Sequence, residues 1–175
     1  MSKGTALMST KAMDFIKSIL PEGSTILEFG SGPGSTVYLS DYYNMISIEN
    51  QPEWQNKYPI CTTYINVDHK LYNDTDFQKP DELKDIVRQT GWFDLDQLIP
   101  KLPGKSEYQL MLVDGPGGWL GRGGILTYIE HFNTEVPIVF DDVHREQESM
   151  ILKKLSKKLN REYKILDDGV TGYIL

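Results

Sequence analysis

A glycine-rich turn in the first fifth of the chain carries the clearest chemical signal. Residues 27–35 read Leu-Glu-Phe-Gly-Ser-Gly-Pro-Gly-Ser, so that Glu28 lies two positions before the first of three alternating glycines. A glycine turn after an apolar run lets a ligand approach the backbone, and a helix that follows offers unpaired amides. A dinucleotide turn would place its third glycine at Ser35, and the Glu28 carboxylate would repel a pyrophosphate. The turn therefore favours a cationic ligand that carries an amino group.

Three aspartates follow two later apolar runs. Asp114 ends the run 108–114, and the Asp141-Asp142 pair ends the run 136–141. If both runs are neighbouring parallel strands, the three carboxylates meet at one edge of the sheet. Such carboxylates repel each other unless a hydrogen bond, a proton or a cation intervenes, and Mg²⁺ would also acidify a bound hydroxyl. All three aspartates are candidate metal ligands, and Asp114 and Asp142 are candidate catalytic residues.

The same aspartates have other interpretations. They can cap the loop or helix that follows them, or they can act directly as acid–base groups. His144, two residues after the acidic pair, is a candidate general base because an imidazole titrates near neutrality. Its alternative is a solvent-facing position in the first turn of a helix.

The loop 114–124 holds six glycines in eleven residues. Because so much backbone freedom costs entropy on folding, this density indicates mobility or a close backbone contact with a ligand. Trp119 and Arg122 are candidate substrate-binding residues that would stack on, and hydrogen-bond to, a sugar or another flat substrate. The alternative is that Trp119 packs on the core and Arg122 pairs with a surface acid.

Composition narrows the function classes. The 175 residues form a core large enough for one domain, so residues 1–175 are predicted to be a single domain. No apolar run approaches the ~20 residues that span a bilayer, and the first residues lack a secretory pattern. The single cysteine, Cys61, excludes an internal disulfide and is interpreted as a small buried residue at a strand start. We therefore expect a cytoplasmic protein.

The net charge of −7 argues against nucleic acid as a partner, because phosphates would be repelled. A small-molecule or carbohydrate substrate is expected instead. Oligomerisation stays open.

Apolar runs alternate with helical patterns along the chain, which is typical of a parallel sheet covered by helices. Strands are predicted over 24–30, 45–49, 62–67, 108–114 and 136–141, with a closing hairpin over 163–166 and 172–175. Helices are predicted over 8–20, 35–41, from Pro52, 80–89, 124–132 and 144–160. These elements predict an α/β fold with a seven-stranded, mostly parallel sheet, a C-terminal antiparallel hairpin and helices on both faces.

The glycine turn, taken with this element order, resembles the first motif of the class I S-adenosylmethionine (SAM)-dependent methyltransferases, an acidic residue followed by x-Gly-x-Gly. The second mark of that family is an acid at the end of strand two that holds the ribose hydroxyls, and Glu49 matches it. The resemblance implies a Rossmann-like sheet with SAM as cofactor. The cofactor contacts that it implies are Glu28, Gly30, Ser31, Gly32, Glu49 and, next to the adenine, Asp68. A tight strand–helix connection without a ligand is the alternative for the turn, and a solvated loop residue is the alternative for Asp68.

The three aspartates resemble the metal site of the metal-dependent O-methyltransferases, in which acids end strands four and five. The Gly-Pro-Gly-Gly after Asp114 departs from the catechol enzyme, whereas Val-Asp-Gly-Pro and Phe-Asp-Asp-Val-His-Arg are similar to segments of bacterial sugar and polysaccharide methyltransferases. The resemblance implies methyl transfer to a hydroxyl of a sugar, a polysaccharide or another small molecule, with Mg²⁺ as a further cofactor if the acids bind it. The alternatives are a catalytically degenerate binding or scaffold domain and an N-methyltransferase of a small molecule.

Overall fold

The computed structural model describes residues 8–55, 62–73 and 76–175. The strands within these ranges are β1 (Thr25–Phe29), β2 (Asn44–Glu49), β3 (Thr62–Asn66), β4 (His69–Leu71), β5 (Gly91–Phe93), β6 (Leu110–Val113), β7 (Ile138–Phe140), β8 (Tyr163–Ile165) and β9 (Gly172–Ile174). The α-helices are α1 (Thr10–Ile19), α2 (Ser35–Leu39), α3 (Leu95–Leu98), α4 (Gly124–Thr127) and α5 (Glu146–Leu159). Short 3₁₀ turns cover Asp81–Leu83, Ile99–Lys101 and Ile129–His131.

Seven of these strands form one sheet in the order β3-β2-β1-β6-β7-β9-β8. The first five in this order are parallel. β9 runs antiparallel to β7, and β8 runs antiparallel to β9 and therefore in the direction of the first five. The predicted α/β class, the mostly parallel sheet and the closing hairpin are confirmed. The chain moves outward from β1 to β3 and then returns to the other side of β1 as β6, so a topological switch point lies between β1 and β6. In open α/β sheets, ligands bind at the carboxyl ends of the strands at such a point.

The central strands are apolar almost throughout because the sheet is covered on both faces. Alternate residues point to opposite faces, so Ile26 and Leu112 join a core beneath α1, whereas Leu27 and Val113 join a larger core that includes Ile151 of α5. Among the described residues, no helix has both the length and the apolar content needed to cross a bilayer.

The structure differs from the predicted elements mainly between β3 and β6. The predicted helix over 80–89 is wrong, since only the 3₁₀ turn Asp81–Leu83 forms there. Leu83 and Ile86 are buried in the core, and Arg88 adopts a left-handed backbone conformation (φ +55°) that no α-helix contains. A two-stranded antiparallel ribbon of β4 and β5, which was not predicted, crosses this region.

Other boundaries shift. The helix predicted over 124–132 is two short pieces, α4 and the turn Ile129–His131, and the last helix begins at Glu146 rather than at His144. Residues 52–55 form turns, and the remainder of the helix predicted from Pro52 lies outside the described residues, as does Cys61.

Candidate active site

The loops that follow β1 and β6 touch each other through two glycines. A Cβ atom on Gly115 would lie 2.7 Å from the Cα of Gly30, and Gly30 has a positive φ of +83°. Real Cβ atoms do not approach backbone so closely, so both positions require glycine. This contact brings the turn after β1 next to Asp114, which immediately follows β6.

A buried carboxylate holds the glycine turn. Glu28 is fully buried in β1, and its Oε1 accepts a hydrogen bond from the Ser35 hydroxyl at 2.6 Å. Its Oε2 accepts from the hydroxyls of Thr36 at 2.7 Å and of Ser47 at 2.6 Å. The Thr36 hydroxyl in turn accepts from the Gly32 backbone N–H at 2.9 Å. One side chain therefore joins β1, β2, the turn and the start of α2.

Burial changes the ionisation of Glu28. Removal from water is the largest influence and raises the pKa of the Glu28 carboxyl to about 7, although the hydroxyls of Ser35, Ser47 and Thr36 favour the ionised form. Glu28 is fully buried, and its expected direct contact with a cofactor stays a prediction. Through its hydrogen bonds the residue also fixes the backbone of the glycine turn.

Glu49 ends β2 beside the turn. Its Oε2 accepts from the Ser31 backbone N–H at 2.8 Å, and its Oε1 accepts from those of Asn50 and Gln51 at 2.8 and 2.7 Å. A carboxylate has about four lone-pair positions, so one remains on Oε2 for a hydroxyl donor. Asp68, two residues past β3, is exposed and accepts a 2.9 Å hydrogen bond from the Gln97 amide; its contact with an adenine stays a prediction.

The three aspartates do converge. Asp114 and Asp141 follow the paired strands β6 and β7, and carboxylate oxygens of Asp114, Asp141 and Asp142 lie within 4.8 Å of one another. We call these three residues the acid cluster. Burial, reinforced by the charges of Asp114 and Asp142, raises the pKa of Asp141 to about 7. Burial also raises the pKa of Asp114, against the attraction of Arg122.

Arg122 enters the middle of the acid cluster. Its side chain is only 3% exposed, and its Nη2 donates to Asp142 Oδ2 at 2.8 Å and to Asp114 Oδ1 at 3.3 Å. Its Nη1 donates to the backbone carbonyl of Asp141 at 2.7 Å. Of the two interpretations of Arg122, pairing with an acid is the one observed, but Asp142 is buried and Asp114 is half-buried rather than on the surface.

The other candidates have different surroundings. Trp119 is 63% exposed and does not pack on the core, so it stays a predicted substrate-binding residue. His144 is exposed, and its role as general base stays a prediction. Sequence reasoning gave little weight to His69, whose ring lies edge-on to Trp119 at 5.8 Å between centroids. Both His69 ring nitrogens are buried without a hydrogen-bond partner among the described residues, and burial lowers the pKa of His69 to about 4.

Among the described residues, one cavity lies near these groups and another lies far from them. One of about 440 Å³ adjoins the acid cluster through Arg145, which pairs with Asp142 at 2.9 Å. It is lined by Asp85, Val87, Arg88, Arg145, Glu146, Gln147 and Met150. The other, about 490 Å³, includes Thr25, Asn44 and Thr62 at the amino ends of β1, β2 and β3. The second cavity lies at the edge of the sheet opposite to the glycine turn and the acids.

The raised pKa of Glu28 predicts a pH-dependent stability. Burial raises the folded-state pKa above the ordinary value of 4.5, so the stability that Glu28 contributes is complete below about pH 4.5 and is lost as the pH rises through about 7. Glu28→Gln cannot ionise. Its unfolding free energy should therefore increase relative to the wild type between about pH 5 and about pH 8, by up to about 3 kcal/mol.

Urea denaturation at several pH values measures this difference, with the exposed Glu22→Gln as matched control. If the difference in unfolding free energy between the wild type and Glu28→Gln stays constant with pH, the raised pKa of Glu28 is contradicted.

No family model and no curated protein matches the sequence. Among solved structures, a TehB-like SAM-dependent methyltransferase from Corynebacterium glutamicum is 13% identical, with a TM-score of 0.50 over 93% of this chain and 84% of that chain. The tRNA methyltransferase TrmK of B. subtilis is 14% identical, with a TM-score of 0.49 over 97% of this chain and 65% of that chain. The chain thus spans less than two thirds of the TrmK length. At 13% identity the likeness to the Corynebacterium glutamicum structure establishes the fold alone, which is the Rossmann-like fold of SAM-dependent methyltransferases.

Proposed function

We propose that the chain is a SAM-dependent methyltransferase that acts on a hydroxyl group of a carbohydrate or another small molecule. The observation that carries the proposal is the geometry of the switch point between β1 and β6. There, the glycine turn held by Glu28, the Glu49 carboxylate and the acid cluster meet at one edge of the sheet. A cofactor site and a proton-accepting site adjacent to it are what methyl transfer requires.

The turn has room for a cofactor. A Cβ atom on Gly32 would meet nothing within 4 Å, in contrast to Gly30 and Gly115, so the glycine at this position leaves open space rather than serving internal packing. Gly30, Ser31 and Gly32 would border the cofactor, and the remaining lone pair of Glu49 would accept a ribose hydroxyl. Asp68 is proposed for the adenine end. When bound, SAM supplies an electrophilic methyl group on its sulfonium.

Asp114 is the proposed proton acceptor. Its side chain is 25% exposed, against 12% for Asp142, and it is therefore the more accessible of the two ion-paired acids. Because Arg122 holds Oδ1, Oδ2 is the oxygen that takes the proton from the acceptor hydroxyl and later passes it to water. Asp142 orients the cluster through its two arginine partners. His144 is the alternative proton acceptor.

Two features favour a carbohydrate as acceptor. The exposed indole of Trp119 offers an apolar face to a sugar ring. The 440 Å³ cavity beside the acid cluster presents arginines, carboxylates and the Gln147 amide, and these donors and acceptors suit several hydroxyls. Metal-assisted transfer is a second candidate, which the convergence of the three aspartates favours and the Arg122 guanidinium between them opposes. A binding domain without turnover is a third.

Calorimetric titration with S-adenosylhomocysteine (SAH) tests the cofactor site. We expect the wild type to bind one SAH per chain. Gly32→Ala should weaken that binding by roughly tenfold or more, because its methyl group enters the cofactor space without disturbing the fold. Gly104→Ala, in an exposed turn, is the matched control and should bind as the wild type does. Absence of SAH binding by the folded wild type would refute the methyltransferase proposal.

Release of SAH from SAM in the presence of methyl glycosides tests the acceptor. Asp114→Asn should lower kcat by about 10²- to 10⁴-fold while SAH affinity is retained, because only proton removal is lost. Turnover on amines but not on sugars would contradict the carbohydrate acceptor. Unchanged turnover in Asp114→Asn would contradict the role of Asp114.

A further inference from the structure

The acid cluster already contains a cation. Arg122 reaches all three of its members, through Nη2 to the carboxylates of Asp142 and Asp114 and through Nη1 to the carbonyl of Asp141. A divalent ion bridging Asp114 and Asp142 would need oxygens at about 2.1 Å and would compete with Nη2 for the same two carboxylates. The ion and the guanidinium would also repel each other at that distance.

The charge of the cluster is largely balanced without a metal. Asp142 Oδ2 contacts the guanidinium groups of both Arg122, at 2.8 Å, and Arg145, at 2.9 Å. Two cationic side chains thus face three carboxylates. Residues of the chain itself thus reduce the repulsion between Asp114 and Asp142 that made a metal attractive from the sequence. Asp141 Oδ1 is buried without a hydrogen-bond partner among the described residues.

Backbone packing keeps Arg122 in place. The Gly123 backbone N–H donates to the Gln89 side-chain oxygen at 2.6 Å. A Cβ on Gly121 or on Gly123 would collide with that same Gln89 oxygen. These glycines therefore allow the segment that carries Arg122 to pack closely against Gln89, and this packing holds the segment in position.

From these contacts we infer that Arg122 is the resident cation of the acid cluster and replaces the divalent metal of metal-dependent O-methyltransferases. Arg122 is a positioning residue. It binds Oδ1 of Asp114 and leaves Oδ2 for the acceptor, and this last step rests on the proposed function. The inference that Arg122 occupies the cation position does not depend on the proposed function.

Titration with Mn²⁺, followed by the electron paramagnetic resonance signal of the free ion, tests the inference. We expect the wild type to bind no Mn²⁺ at the acid cluster. Arg122→Met, similar in length but uncharged, should gain one saturable Mn²⁺ site that Arg122→Met/Asp142→Asn loses. Arg122→Lys keeps the positive charge and should not gain the site. Circular dichroism of each variant checks that it is folded.

Saturable Mn²⁺ binding by the wild type that Asp142→Asn abolishes would overturn the inference. A folded Arg122→Met that gains no Mn²⁺ would overturn it as well. If Arg122→Met does not fold, the Mn²⁺ binding of the wild type and of Asp142→Asn still tests the inference. Binding by the wild type that Asp142→Asn abolishes contradicts it, and absence of binding by the wild type agrees with it. SAH titration of the same samples tests the methyltransferase function separately from the position of Arg122. A wild type that binds neither SAH nor Mn²⁺ contradicts the methyltransferase function, but it agrees with Arg122 as the cation of the acid cluster.

Discussion

The site depends first on the burial of one carboxylate. Glu28 is removed from water in the middle of β1, where an isolated charge would be costly, and three hydroxyl groups compensate for it. Those hydroxyls belong to β2 and to the start of α2, so the same bonds that satisfy Glu28 also fix the turn from Gly30 to Gly34. Through Thr36 the network extends to the Gly32 amide. The Glu28 carboxylate thus determines the backbone conformation of the glycine turn.

The second constraint is the glycine contact between the loops after β1 and β6. Because Gly30 and Gly115 approach through their backbones, Asp114 is carried to within 3.5 Å of the Ser35 hydroxyl, a partner of Glu28. The acid cluster and the glycine turn are therefore one connected arrangement. Arg122 completes it from the loop that begins at Asp114. The close packing of these two loops therefore determines both the position of the acid cluster and the position of the glycine turn beside it.

The sheet, the hairpin and the meeting of three aspartates could be predicted, because periodicity marks the strands and parallel strands end at a common edge. The place of Arg122 could not, since it depends on the contact between Gly123 and Gln89, 34 residues apart in the chain. The missing helix over 80–89 has the same origin: core packing of Leu83 and Ile86 outweighs local propensity. Glu28 was recognised as important, but its burial between hydroxyls depends on Ser47 of the neighbouring strand.

The location of SAH on the chain distinguishes a cofactor site at the switch point from one at the opposite edge of the sheet. Backbone amide shifts in a ¹⁵N-labelled sample, recorded with and without SAH, map that location residue by residue. We expect the shifted amides to cluster at the carboxyl edge of the sheet, at Ser31, Gly32, Asn50 and Gly115. Shifts confined to the opposite edge, around Asn44 and Thr62 in the second cavity, or no shifts at all, would contradict a SAM site at the switch point.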